Sequence, residues 1–363
     1  MRTAPRAGSR NDRDAAPSAA EDRGHAELAR GRRQLFDGPV GDARETLLLA
    51  ASLLAADAPE TAEAAHLGAV DAAWASGDVV ACLTSLDGTD VPGPADGRAA
   101  AGFFAGEGGA ATIRAGGSST AGEGRASTTG EGGAPAMGTD GPPPPGPPNL
   151  TLPPAEAGQP QHSAPGPQPG GWVRDPFFRD YRDGVRALLA RRPEHAAGPL
   201  RRVLDRARRD DRTERLLRAA AAALLLGDVH AARTAGARAL AAARTTECAA
   251  FEARALEYLA YGELRAGRHA QARAHAEEGV CAALAAGHRN TAASHHAMLA
   301  LAASIEGDTA AVAGYASAAL ATARRHGLAQ AETLAEWATA RADLARGRPL
   351  DAADRLGPLV GPG

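Results

Sequence analysis

Lysine is missing from this sequence. All 40 basic residues are arginine, although the chain is 363 residues long. Mechanisms that need a side-chain amine are therefore excluded, which removes Schiff-base chemistry, the P-loop lysine and the protein-kinase lysine. The formal net charge is −3, so the chain as a whole is not a polycation suited to nucleic acid or to a membrane surface.

Aromatic residues and cysteines are also scarce. Aromatic residues make up 4% of the chain and hydrophobic residues 44%, so the core must be mostly Ala, Leu and Val. Such a core suits closely packed helices and argues against a large β-sheet. Cys82, Cys248 and Cys281 are isolated from one another, which supports neither a disulfide framework nor a zinc site. The polar N-terminus and the lack of a long apolar run predict a cytoplasmic protein.

Turn glycines recur at a spacing of 40 residues in the C-terminal half. The first series is Gly227, Gly267, Gly307 and Gly347, and a second series, Gly287 and Gly327, falls midway between its members. Self-similarity at a period of 20 to 50 residues is typical of repeat proteins. Each unit is predicted to be a helix, a tight turn and a second helix, with glycine in the left-handed position that ends a helix.

Small residues occupy fixed positions around these glycines. Alanine stands seven residues before each glycine of the first series, a small residue stands five before it, and Ala or Val stands five after it. The three columns are Ala220, Ala260, Ala300 and Ala340; Ala222, Gly262, Ala302 and Ala342; and Ala232, Ala272, Val312 and Ala352. Small residues let helices approach closely, and stacked hairpins share a continuous core. The pattern predicts an all-α, tetratricopeptide-like α-solenoid; the alternative is a plain helical bundle whose glycine spacing is fortuitous.

Composition divides the chain into four segments. Residues 1–24 are polar and lack periodicity, which predicts a disordered tail. Residues 25–90 carry apolar periodicity typical of helical hairpins, and residues 172–360 form the predicted repeat array. Residues 91–171 are rich in Gly and Pro and predict a disordered linker or insertion. A docking site for proline-recognising modules is the alternative interpretation of that segment.

No motif of catalytic or ligand-binding chemistry emerges from the sequence. The patterns GxxxxGK[ST], GxSxG and HExxH do not occur, and the glycine-rich residues 106–109 neither follow a strand nor open a helix. The densest histidine cluster is His295 and His296, with His288 and Met298 nearby. Adjacent helical residues point about 100° apart and make poor co-ligands, so partly exposed surface histidines are the expectation. We therefore predict no catalytic, cofactor-binding or metal-binding residues, no cofactor and no enzymatic activity.

Arginine is dense between Arg182 and Arg218. A nucleic-acid-binding stripe is one interpretation of this run. Acidic residues from Asp180 to Glu214 interleave with the arginines, however, and mixed charge at helical spacing is more typical of a solvated face laced with ion pairs.

The array resembles the middle region of large actinobacterial LuxR-family transcriptional regulators with an AAA-type module. The resemblance rests on scaffold sequences: Arg265-Ala266-Gly267-Arg268, the stretch Ala272 to Gly279, Ala286-Gly287-His288-Arg289-Asn290, Ala297 to Leu301, Arg325-His326-Gly327-Leu328, Trp337-Ala338 and Leu344 to Pro349. Residues Ala43 to Asp78 are similar to the first helical repeats of the same family. About two thirds of the chain is covered, and the linker is not.

The resemblance implies a tetratricopeptide-like region that would normally lie between a nucleotide-binding module and a helix-turn-helix. Neither the phosphate-binding loop nor the helix-turn-helix is recognisable in this chain. We therefore expect a regulatory or sensor segment that binds a protein partner or a small effector and reaches DNA only through modules outside this sequence. The alternative is a standalone tetratricopeptide-like scaffold for protein interactions.

Overall fold

The structure is a computed structural model that describes residues 19–87 and 175–360. These ranges contain fourteen α-helices and no β-strand, so the predicted all-α class is confirmed for them. The helices are α1 (Ala19–Asp37), α2 (Val40–Leu54), α3 (Pro59–Ala75), α4 (Val79–Asp87), α5 (Pro176–Leu189), α6 (Pro193–Ala207), α7 (Thr213–Leu225), α8 (Val229–Thr245), α9 (Ala249–Arg265), α10 (His269–Ala285), α11 (Arg289–Glu306), α12 (Thr309–His326), α13 (Ala329–Ala345) and α14 (Pro349–Val360).

Helix boundaries differ from the sequence expectation at two points. The helix α1 begins at Ala19, so the last residues of the predicted tail are helical; Glu21 and Asp22 in its first turn favour a helix N-terminus. The helix α5 begins at Pro176 because the Asp175 carboxylate accepts a hydrogen bond of 2.8 Å from the Phe177 amide and caps it. The predicted linker at residues 91–171, and the tail before residue 19, lie outside the described residues.

The turn glycines adopt the predicted left-handed conformation. All six members of the two series have φ between 71° and 82°, and Gly77 repeats the geometry at 69°. At Gly227 the turn amide bonds the carbonyl of Leu224 at 3.1 Å and the next amide bonds Ala223 at 2.9 Å, which satisfies the last carbonyls of α7. Glu247, 40 residues before Gly287, takes the same conformation without being glycine, with φ 52°.

The small columns are buried, as the pattern predicted. The alanines seven residues before each turn glycine are inaccessible to solvent. In the other two columns Gly262 is buried and the remaining residues are at most 2% exposed. Helices that are consecutive in the chain pack against each other. Because the close-packed face of each helix is lined by alanine, neighbouring helices approach without large side chains between them.

The N-terminal helices also pack against distant helices. Val40 and Ala43 of α2 and Ala72 of α3 belong to the same buried cluster as residues of α9 to α13. Leu67 and Val70 of α3 belong to a second cluster with residues of α5 to α8. The N-terminal helices therefore pack against the array through two separate buried clusters.

No helix in residues 19–87 or 175–360 is both long and apolar enough to cross a lipid bilayer.

Candidate functional site

A buried asparagine joins α1 to the array. Asn290, which is 5% exposed at the start of α11, donates from its side-chain nitrogen to the carbonyls of Leu35 and Gly38, at 2.9 Å each. These carbonyls lie at the C-terminal end of α1, where backbone acceptors have no partner within the helix. Asn290 thus caps a helix that precedes it by more than 250 residues.

Two flanking contacts strengthen this joint. Arg289 forms a forked ion pair with Asp37, and its hydrogen bond holds the pKa of Asp37 below the usual value. The ring of His288 stacks on Phe36 with centroids 4.3 Å apart and planes 8° apart. We use the name Asn290 joint for six residues: Phe36, Asp37, His288, Arg289, Asn290 and His326, whose ring contacts Asn290.

The hydrogen bonds of Asn290 fix the tautomer of His326. Both amide hydrogens of Asn290 are used on carbonyls, so its Oδ1 atom must accept, and Nδ1 of His326 at 2.6 Å must carry the proton. Burial, followed by the charges of Arg325 and Arg289, lowers the pKa of His326. The imidazole is therefore neutral at pH 7 and acts as a hydrogen-bond donor within the joint.

A second contact between the N-terminal helices and the array is an ion pair. Arg218 of α7 is only 8% exposed and donates two hydrogen bonds to the Asp71 carboxylate of α3, with Nη2 2.7 Å from Oδ2. Its guanidinium also lies 5.3 Å from the ring centroid of Tyr181 in α5. Burial works against the charge of Arg218, but Asp71, Tyr181 and Tyr258 together stabilise the charge, and the pKa of Arg218 is raised.

The neighbouring helix α9 contributes a second arginine. Arg254 lies 5.2 Å from the ring centroid of Tyr258 and donates to Glu257 at 2.6 Å. About a third of its side chain, 32%, stays exposed. Desolvation again opposes the charge, but Glu257 and Tyr258 stabilise it and the pKa of Arg254 is raised. We call Asp71, Tyr181, Arg218, Arg254, Glu257 and Tyr258 the central cluster.

The tyrosines and arginines of the central cluster are poor proton acceptors. Burial raises the pKa of Tyr181 to about 12 and raises that of Tyr258 as well, so both phenols are protonated at pH 7 and are poor bases. The guanidiniums cannot act as bases at that pH either. The cluster combines two guanidiniums, each close to an aromatic ring, and a guanidinium can bind a carboxylate through two parallel hydrogen bonds.

The half-buried carboxyl group of Glu63, which also belongs to α3, lies near charged residues of the array. One of its oxygens is buried and has no hydrogen-bond partner. Desolvation, and then the negative charge of Asp175, raise the pKa of Glu63 to about 7, with further contributions from Glu214 and Glu60 and an opposing one from Arg182. The ionised carboxylate of Glu63 is therefore unfavourable in the contact between α3 and the array.

His295 is buried, which corrects the expectation of a partly exposed histidine. Its ring is 0% exposed, and Nε2 bonds the carbonyl of Ala253 at 3.0 Å, so that nitrogen carries the proton. Desolvation lowers its pKa. Space for the ring comes from Gly279, where an added Cβ would lie 2.1 Å from an imidazole carbon.

The register of the repeat explains this exchange and could have predicted it. The residues 40 positions before and after His295 are Ala255 and Ala335, both fully buried, and those around Gly279 are Ala239 and Ala319. The repeats on either side thus have two alanines at these positions, and the repeat between them has Gly279 and His295 instead. His296, by contrast, is half-buried near Tyr315, and the described ranges contain no group of three or more His, Cys, Asp or Glu placed to hold a metal.

The arginine run is laced with ion pairs, as the sequence predicted. Asp180 receives hydrogen bonds from Arg202, at 2.9 Å, and from Arg206. Arg215 bonds Asp210 at 3.0 Å and lies above the ring of Phe177. The side chain of Arg215 is only 14% exposed, so it does not lie on a solvated face, and neither does Arg218, which is buried in the central cluster. Sequence could not identify Arg218, since its partner Asp71 is 147 residues away.

The chain matches no protein-family model and no curated protein. The glycine-rich residues 106–109, which the sequence predicts not to form a phosphate-binding loop, lie outside the described residues.

Proposed function

We propose that this chain is a regulatory or sensor segment of a LuxR-type transcriptional regulator, built as a tetratricopeptide-like α-solenoid. The observation that supports the solenoid is the register: left-handed turns recur every 40 residues and place the same small residues in the core each time. The LuxR family is proposed from the scaffold sequences alone. In this role the array binds a protein partner or a small effector, inside the cytoplasm, and DNA is reached through modules that are not found in these residues.

The central cluster supports a binding role for the array. It combines two arginines and two tyrosines on helices from successive hairpins, α5, α7 and α9. Successive repeats commonly contribute side chains to one extended recognition face. Paired charges and aromatic rings in such a place suit recognition better than bond-making chemistry.

Transcript profiles would test the proposal. We expect that deletion of the gene alters the expression of a defined set of transcripts, that the wild-type gene restores it, and that Arg254→Ala does not. An Arg346→Ala variant serves as the control, because Arg346 is exposed far along the chain and its side chain donates a hydrogen bond to the backbone carbonyl of Thr309. Unchanged transcripts in the deletion strain would contradict the transcriptional role and favour the standalone scaffold.

Nucleotide binding gives a second test. Because the chain contains no lysine and no phosphate-binding loop motif, we expect no micromolar binding of ATP with magnesium in calorimetric titration. Binding in that range would show that the chain carries a nucleotide site of another kind.

A further inference from the structure

The helix α3 is held against the array by a contact that resembles the binding of a ligand. Its single aspartate, Asp71, accepts hydrogen bonds from two nitrogens of Arg218. The ring of Tyr181 lies beside the guanidinium of this arginine. On either side of Asp71, Leu67 and Ala72 enter buried clusters of the array. One carboxylate and a short run of aliphatic and small residues thus define what this surface accepts.

The fit of α3 is imperfect. Glu63, two turns before Asp71, brings a buried oxygen without a hydrogen-bond partner close to the acidic side chains of Asp175 and Glu214. An unsatisfied buried acceptor weakens the contact that contains it. A helix with an uncharged residue at that position would keep the favourable pairing with Arg218 and avoid the unfavourable one.

Binding capacity also remains beside α3. The guanidinium of Arg254 donates to Glu257 from one nitrogen and leaves about a third of the side chain open to solvent. Arginine offers five donors in a fixed fork, so further acceptors can bind beside Glu257. A partner with a second carboxylate one or two turns from the first would use it.

We propose that the surface formed by Arg218, Arg254, Tyr181 and Tyr258 binds an acidic α-helix of a partner protein, and that α3 occupies this surface in the unbound chain. The inference rests on the proposed binding role of the array and names the class of partner. The partner helix presents a carboxylate flanked by aliphatic and small residues, as α3 does. Binding displaces α3 and, with it, loosens the attachment of the N-terminal helices.

The sequence of α3 provides the probe. A fluorescently labelled peptide of residues 59–75 would be titrated by anisotropy into the full-length chain and into two variants, Asp71→Asn and Arg218→Gln. Asp71→Asn weakens the internal occupant and leaves the surface intact, so peptide affinity should rise at least tenfold over the wild type. Arg218→Gln weakens the occupant equally but removes the guanidinium, so affinity should not rise. A peptide carrying Asn in place of Asp71 should bind none of the chains detectably.

Equal binding by the two variants, or by the two peptides, would overturn the proposal, because recognition would then not depend on the carboxylate and the arginine. Asn290→Ala gives an independent variant, since it loosens α1 without touching the central cluster and should also raise peptide affinity. Circular dichroism melts identify a variant that fails to fold. In the wild-type chain, saturating peptide should increase hydrogen exchange in α3, and unchanged exchange would contradict displacement. Failure here, with the transcript changes retained, refutes only this inference.

Discussion

The Asn290 joint makes a quantitative prediction. In Asn290→Ala, two carbonyls at the end of α1 lose their donors and the buried Nδ1–H of His326 loses its acceptor. Each of the three hydrogen bonds is worth about 1 kcal/mol net, and an unsatisfied buried donor adds a cost of about 1 to 3 kcal/mol. We therefore expect a loss of about 4 to 6 kcal/mol, a large part of the stability of an ordinary domain.

The loss should be localised at α1. Hydrogen exchange of the α1 amides should rise first, because Asp37 and Phe36 keep their contacts with Arg289 and His288 but the helix end is no longer capped. Urea unfolding followed by circular dichroism measures the total change. Thr339→Ala is the matched control: it removes a hydroxyl that bonds only the carbonyl of Ala335 in its own helix, and it should cost less than about 1 kcal/mol.

An isosteric variant separates hydrogen bonding from packing. Asn290→Asp keeps the shape and can still accept from His326, but its carboxylate faces the carbonyls of Leu35 and Gly38 and repels them. It should be at least as destabilising as alanine at pH 7 and recover partly at low pH, when the protonated acid can donate to one carbonyl. If both Asn290 variants changed the free energy of unfolding by less than about 0.5 kcal/mol, the joint would not hold α1 as described.

Three further predictions concern packing and charge. Gly279→Ala should cost about 2 to 3 kcal/mol because its methyl group collides with the buried His295 ring, whereas Gly314→Ala, with open space around it, should gain up to about 1 kcal/mol in helix propensity; thermal melts compare them. Glu63→Gln should stabilise the protein by about 1 kcal/mol at pH 8. Burial and nearby acidic residues raise the pKa of Glu63 to about 7, so its ionised form at pH 8 is unfavourable in the folded protein. Urea titrations should show a smaller gain as the pH is lowered to about 5, where Glu63 is protonated. Ala272→Arg should unfold part of the array at a cost of several kcal/mol, and an unchanged circular dichroism melt would disprove the repeat register.

The period of the sequence was sufficient to predict the local structure. A left-handed turn needs a residue that tolerates positive φ, so recurring glycines identify the turns. The alanine columns then indicate which face of each helix is buried. Glu247 shows the limit of this reasoning, since the same turn forms without glycine and the second series looks one member short. Its conformation follows from the position between α8 and α9, where the amide of Cys248 still bonds the carbonyl of Ala243 at 3.0 Å.

The contacts made by the N-terminal helices could not be predicted in this way. Asn290 and Leu35 are 255 residues apart, and Arg218 and Asp71 are 147 apart, so no local pattern connects either pair. Periodicity predicts which helices are neighbours within the array, but it does not predict which helices from outside the array pack against it. The order of helices was therefore predictable, whereas the polar contacts that position α1 and α3 were not.

Departures from the repeated columns locate these polar contacts. The positions 40 residues apart that begin with Arg218 continue as Tyr258, Met298 and Ala338, so charge and aromatic character are confined to the first two units. Small or aliphatic residues at all of these positions would be enough for the repeats to pack. A buried guanidinium is less favourable there because it loses its hydration. Arg218 offsets this loss through Asp71 of a helix outside the regular units. Packing between repeats does not require a charge at Arg218, and it does not fix the position of α3. The buried ion pair between Arg218 and Asp71 of α3 is therefore the strongest physical reason to look for binding at this surface.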